Sequence, residues 1–188
     1  MSRDAVSRVP GTIRPARPDD VPHILRLIHD LAVYEREPDA VKNTPEALTW
    51  HLFGEHPAVF CHVVEEGGGE GGEATVVGLA LWFLNYSTWE GTHGIWLEDL
   101  YVDPAARGRG HGKALLLHLA SLAAERGYAR MEWTVLDWNE PSIGFYRALG
   151  AAPLDEWTTY RLSGEALRRA AQSGPAQDDA APDPGSVR

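Results

Sequence analysis

Three apolar runs, at 58–64, 76–84 and 93–102, follow one another with only short polar connections, and a glycine-rich turn and a helical pattern come directly after the third. No other feature of the chain constrains its fold as much. Runs joined by short turns pair antiparallel, whereas a strand–helix–strand unit needs a crossover and pairs parallel. The helix reads from Leu115, Leu116, Leu119, Leu122 and Ala123, with Gly127 at its end, and residues 130–136 alternate as the following strand. A sheet built this way changes from antiparallel to parallel pairing near residues 100–135. Ligands favour such a discontinuity.

The flanks complete an α/β chain with the order β–α–α–β–β–β–α–β–α–β. A short strand is expected around residues 12–14. Asp19-Asp20-Val21-Pro22 opens a helix carried by Ile24, Leu27, Ile28 and Leu31 to about Tyr34-Glu35, and Thr44-Pro45-Glu46 opens a second. Asn139 caps a helix to Leu149, residues 157–162 read as a last strand, and a short helix starts at Gly164. Glu65 to Glu73, EEGGGEGGE, has nothing to pack and reads as a flexible connection between strands. The expected organisation is a flexible N-terminus over 1–10, a single domain over 11–172, and a disordered tail over 173–188 rich in Pro, Ala, Asp and Gly.

Charge narrows the classes of function. The 188 residues carry 27 acidic and 17 basic side chains, a net of −10, which repels phosphate and argues against a nucleic-acid partner. The imbalance is local: residues 19–99 hold 15 acids and 3 basic residues, whereas 100–163 hold 7 of each. Most of those acids are expected to be solvated, and part of them suits a site that attracts a cation. Cys61 is the only cysteine, so no intrachain disulfide or CxxC pair is available, and the eight histidines show no ligand spacing, so no metal is expected. No run is long enough to span a membrane. A cytoplasmic protein without a membrane partner is the expectation.

The turn between strand and helix reads Arg107-Gly108-Arg109-Gly110-His111-Gly112-Lys113. Glycines let a backbone approach a ligand closely, and the N–H groups at a helix start favour an anion. The motif lacks the GxxxxGK[ST] pattern of a P-loop and is weak alone. Context makes it specific. With Leu97-Glu98-Asp99-Leu100-Tyr101-Val102 before it and Asn139-Glu140-Pro141-Ser142 and Phe145-Tyr146 after it, the chain resembles the GCN5-related N-acetyltransferase superfamily. The resemblance runs from about Ile13 to Leu162 and narrows to the spermidine/spermine and thialysine branch through IRPA, HILRLI, LAVYE, FGEHP, RGRGHG, WNEPSIGFY and YRL.

That resemblance implies a GNAT fold: a mixed sheet with antiparallel N-terminal strands, a parallel pair at the cofactor cleft, and helices on its faces. It implies acetyl-CoA as cosubstrate, a homodimer, and direct acetyl transfer to a primary amine of a polyamine, a diamine or a lysine-like molecule in a ternary complex. Glu98 would draw in the ammonium group and take its proton through a water, and Tyr146 would protonate the departing thiolate. Leu100, Tyr101 and Val102 would meet the acetyl end of the cofactor by backbone, where a bulge splays the strands. Arg107, Gly108, Arg109, Gly110, His111, Gly112 and Lys113 would hold the pyrophosphate, His111 as a loop residue near the phosphates, and Asn139, Pro141, Ser142 and Tyr146 would complete the cofactor side. Tyr34, Glu35, Glu98, Glu132, Trp133 and Thr134 would form the acceptor side. Its far end departs from the branch, because Thr158 stands where a carboxylate is expected before Tyr160. The competing readings are acetylation of another small amine, such as an amino acid or an antibiotic, and a non-catalytic acetyl-CoA sensor.

Overall fold

The computed structural model describes residues 11–67 and 73–174. The expectations for 1–10, for the middle of the glycine-rich connection and for the tail beyond 174 lie outside the described residues. The chain divides into two compact units, Met1–Thr134 and Val135–Arg188.

The first unit holds one five-stranded sheet in the order β1-β2-β3-β4-β5. Its strands are β1 (Thr12–Pro15), β2 (Phe60–Gly67), β3 (Ala74–Ser87), β4 (Thr92–Val102) and β5 (Met131–Glu132). The first four pair antiparallel, and β5 lies parallel to β4. The expected change of pairing mode therefore falls between β4 and β5. Alternation along the strands feeds two cores. On one face Cys61, Val63, Leu79, Leu81 and Tyr101 meet Val21, Ile24 and Leu27 of α1 (Val21–Tyr34) and Leu48 and Leu52 of α2 (Pro45–Phe53). On the other face α3 (His111–Glu125) buries Leu115, Leu116, Leu119 and Ala123. His62 of β2 faces the same way, its ring 4.6 Å from His118 of α3 and its Nδ1 accepting from Trp82 Nε1 at 3.1 Å. Burial, with the neighbouring His118 and Arg126 charges, lowers the His62 pKa to about 4, which keeps this core neutral.

Both early helices start where the sequence places caps. Thr44 Oγ1 accepts the N–H of Ala47 ahead of Pro45. Asp20 Oδ2 accepts the Arg17 N–H at 2.7 Å and an Arg14 guanidinium N–H at 2.6 Å, at the end of a 3-10 turn that leads into α1. Arg14 also reaches Glu65, so a mostly buried cation on β1 joins the start of α1 to β2.

The second unit contains α4 (Glu140–Ala148) and α5 (Gly164–Gln172), both as expected. Two strand expectations need correction. Residues 130–136 form a ladder only at Met131–Glu132, and 157–162 form no strand. Strand structure is a paired state: a period-2 pattern becomes a strand only where a neighbour's backbone accepts its hydrogen bonds. The reading of Glu65 to Glu73 as mere connection is also corrected, since β2 runs to Gly67 and β3 starts at Ala74.

Candidate active site

Glu98 is the extra residue of a β-bulge. Leu81 of β3 faces Asp99 and the next residue, Trp82, faces Leu97, so Glu98 has no partner across that ladder. One inserted residue reverses the facing of everything after it. Before the bulge, the Ile95 N–H donates to Arg130 O at 3.0 Å, on the β5 side; after it, the Asp103 N–H donates to Val77 O at 2.8 Å, on the β3 side. Alternation back from Asp103 therefore turns the N–H groups of Leu100 and Val102 away from β3. The last β5 pairing is Glu132 with Trp96, while β4 continues to Val102. Beyond Trp96 this edge of β4 has no strand neighbour among the described residues. Two backbone donors on an open edge suit an oxygen that gains negative charge.

Three carboxylates gather at the same place. Glu98 is exposed, and its Oε2 accepts the Trp96 Nε1–H at 2.9 Å. Asp99 is half-buried; burial first, then the charges of Glu98 and Glu35, raise its pKa to about 6. Glu35 closes α1 and is itself raised by partial burial. Mutual repulsion of this kind is relieved by a cation.

The glycine-rich turn is placed by its backbone. Gly108 and Gly110 have φ of +77° and +85°, a left-handed geometry costly to any residue with a side chain, and Gly110 is the N-cap of α3. The N-cap Gly110 has no side chain to cap α3, and no described side chain takes its place, so the first N–H groups of this helix suit an external acceptor. A Cβ at Gly108 would meet nothing within 4 Å, and at Gly112 only Val102 at 3.9 Å. This open, donor-lined turn fits an anion such as the pyrophosphate of acetyl-CoA. Lys113 is exposed beside it.

The other basic side chains of the turn have protein partners. Arg109 Nη1 lies 2.5 Å from Glu66 Oε2, and His111 Nε2 lies 2.5 Å from Glu66 Oε1. The hydrogen bonds from His111 and then Arg109 hold the Glu66 carboxyl below the usual carboxylate range. His111 is the fully buried first residue of α3 rather than a loop residue. Arg107 Nε donates to Val102 O at 2.9 Å, and its guanidinium lies over the rings of Tyr34 and Tyr101.

Among the remaining acceptor-side residues, Glu132 accepts from Asn85 Nδ2 at 2.6 Å and pairs with Arg130 Nε at 2.8 Å, so its carboxylate is committed to the sheet edge. Trp133 is half-buried and Thr134 exposed just beyond β5. In the second unit, buried Asn139 caps α4 by accepting the Ser142 N–H at 3.4 Å, with Pro141 in the first turn. Ser142 and Tyr146 share a helix face at i, i+4; Tyr146 is half-buried, its ring centroid 5.3 Å from that of Phe145. Thr158 is exposed in a segment without strand structure.

Three elements of the site were not read from the residues: Asp99 as the titrating carboxylate, Glu66 as the partner of two residues in the turn, and the ring contacts of Arg107. Only Asp99 had a local signal, its place beside Glu98. Among the described residues no group of three or more His, Cys, Asp or Glu is arranged to hold a metal ion. No helix among them is long and apolar enough to cross a membrane.

A family model described as Acetyltransferase (GNAT) family matches residues 24–151. A thialysine N-epsilon-acetyltransferase from Bos taurus is 43% identical over 164 residues, which cover 85% of this chain and 96% of that protein. An L-ornithine N5-acetyltransferase from Arabidopsis thaliana is 30% identical over 200 residues, covering 86% of this chain and 88% of that one. Among solved structures, an integron cassette protein from the mobile metagenome of V. cholerae superposes with a TM-score of 0.72 at 25% identity, covering 87% of this chain and 99% of the other.

Proposed function

The chain belongs to the acetyltransferase (GNAT) family, and from that premise we propose that it transfers acetyl from acetyl-CoA to a primary amine of a polyamine, a diamine or a lysine-like molecule. The lysine-like class is favoured, because the relatives from Bos taurus and Arabidopsis thaliana are named for thialysine and ornithine, both amino acids with a terminal amine. The observation that carries the reading is the carboxylate group Glu35, Glu98 and Asp99 beside the open edge of β4.

The acceptor arrives as an ammonium ion. With a pKa near ~10.4, fewer than one amine in about a thousand is neutral at pH 7, so the site must attract the cation and then remove its proton. The three carboxylates do the first. Glu98, exposed and oriented by Trp96 Nε1–H, takes the proton directly or through a water. Asp99 then offers a second proton store near neutrality. When bound, acetyl-CoA supplies an activated thioester carbonyl. Leu100 and Val102 N–H would donate to the carbonyl oxygen and the start of α3 would hold the anionic end; on the branch resemblance Tyr146 would give a proton to the departing sulfur. On the branch resemblance, residues 11–172 act as one catalytic domain in a cytoplasmic homodimer.

The test is thiol release from acetyl-CoA with lysine, thialysine, ornithine, putrescine, spermidine and an aminoglycoside as acceptors. The highest kcat/KM is expected for the lysine-like amines. A spermidine preference would move the assignment to polyamines. No turnover with any acceptor would leave a sensor of acetyl-CoA.

A further inference from the structure

Arg107 stands immediately before the glycines of the turn, and its side chain joins three parts of the first unit. The guanidinium carbon lies 5.3 Å from the ring centroid of Tyr34, the last residue of α1, and 5.2 Å from that of Tyr101 on β4. Its Nε–H donates to the carbonyl of Val102, one of the two residues whose backbone lies on the open edge of β4. Both ring distances are within the range in which a guanidinium is held by the negative face of an aromatic ring.

A turn with glycines at 108, 110 and 112 has many conformations to lose when it closes on an anion, and a fixed point before the glycines lowers that loss. Arg109 and His111 supply one fixed point through Glu66. Arg107 supplies the other, and Tyr34 forms one of its walls. Tyr34 directly precedes Glu35, one of the three carboxylates that the proposed function uses to attract the amine.

We propose that the Tyr34–Arg107–Tyr101 stack is a positioning device that couples the acceptor side to the cofactor turn, so that coenzyme A binding depends on Tyr34 through Arg107. The acceptor-side part of this statement rests on the proposed function. Coupling between two binding events is reciprocal: an amine that settles Tyr34 tightens coenzyme A by the factor by which coenzyme A tightens the amine.

The experiment is calorimetric titration of coenzyme A, with no amine present, into the full chain and its variants, each checked for a wild-type melting profile. Tyr34→Leu is expected to weaken coenzyme A by about 5- to 10-fold, the worth of one partly shielded ring contact; Tyr34→Met is the second apolar replacement should the first not fold. Tyr34→Phe keeps the ring and should bind within about 2-fold of wild type. In an Arg107→Met background, Tyr34→Leu should have no further effect, because the contact is already gone. Wild-type affinity in Tyr34→Leu, equal losses in Tyr34→Phe and Tyr34→Leu, or additive losses in the double variant would each overturn the proposal. A wild-type chain that binds coenzyme A but acetylates no amine would overturn the proposed function and leave the stack standing.

Discussion

Replacing Asp99 by Asn should make the protein more stable at neutral pH, and the size of the gain follows from the carboxyl's surroundings. In the unfolded chain this group ionises near its ordinary 3.8; in the folded chain burial, helped by the charges of Glu98 and Glu35, moves that to about 6. Between those values the folded state keeps a proton that the unfolded state has released. Stability therefore falls as pH rises through the window, and the cost is complete above it. At about 1.4 kcal/mol per pH unit, the interval corresponds to about 3 kcal/mol at pH 7.5 and about 1 kcal/mol at pH 4.5. Asn has the same shape and no charge to desolvate. Urea unfolding of both proteins at the two pH values should show Asp99→Asn ahead by up to about 3 kcal/mol at pH 7.5, about 6–12 °C in Tm for a chain of this size, with the gap shrinking by roughly two-thirds at pH 4.5. No gain at pH 7.5, or an equal gain at both values, would refute the claim that Asp99 is held ionised at a cost. The same variant should show a raised acceptor KM, since one charge that attracts the ammonium is gone. Sites kept for function commonly sacrifice stability in this way.

Asp20→Asn should act with the opposite sign. Burial works against the Asp20 charge, but the Arg14 hydrogen bond and the Arg17 N–H outweigh it and lower its pKa, so its contribution is present above pH ~3.8 and lost as pH falls through the folded value. Because Glu65 still pairs with Arg14, losing the Asp20 charge should cost about 1.5–3 kcal/mol at pH 7 in urea unfolding, with the difference closing in acid; an equal difference at pH 3 would exclude the pair as its source. Tyr146→Phe should lower kcat for thiol release by about 10²–10⁴. Acetylation at the wild-type rate would remove Tyr146 from the proton-transfer step.

The residues of the candidate site were legible to different degrees. Glu98 and the turn from Arg107 to Lys113 stand in local patterns, and local patterns survive in a linear text. Glu66 does not. It sits at the edge of a run of glycines and glutamates, and only the pairing of β2 with β3 brings it to Arg109 and His111, more than forty residues away. Arg107 reads as a phosphate ligand because it is basic and near glycines, and the contacts with Tyr34 and Tyr101 come from two elements that the turn meets only after folding.

Element types follow from periodicity and caps, which act over a few residues: Thr44, Asn139 and the leucines of α3 predict their helices, and the short connections from β2 to β4 predict antiparallel pairing. The point where pairing changes to parallel was also readable, because a strand–helix–strand crossover has a preferred arrangement. What needed the folded chain was every property that depends on a partner across space. The bulge at Glu98 is a mismatch between two strands, so neither strand encodes it alone. The early end of β5 and the absence of a strand at 157–162 are failures of pairing rather than of pattern. The raised pKa of Asp99 is the summed effect of burial, the adjacent Glu98 charge and the sequence-distant Glu35 charge, and the Glu35 charge arrives only once α1 and β4 have met.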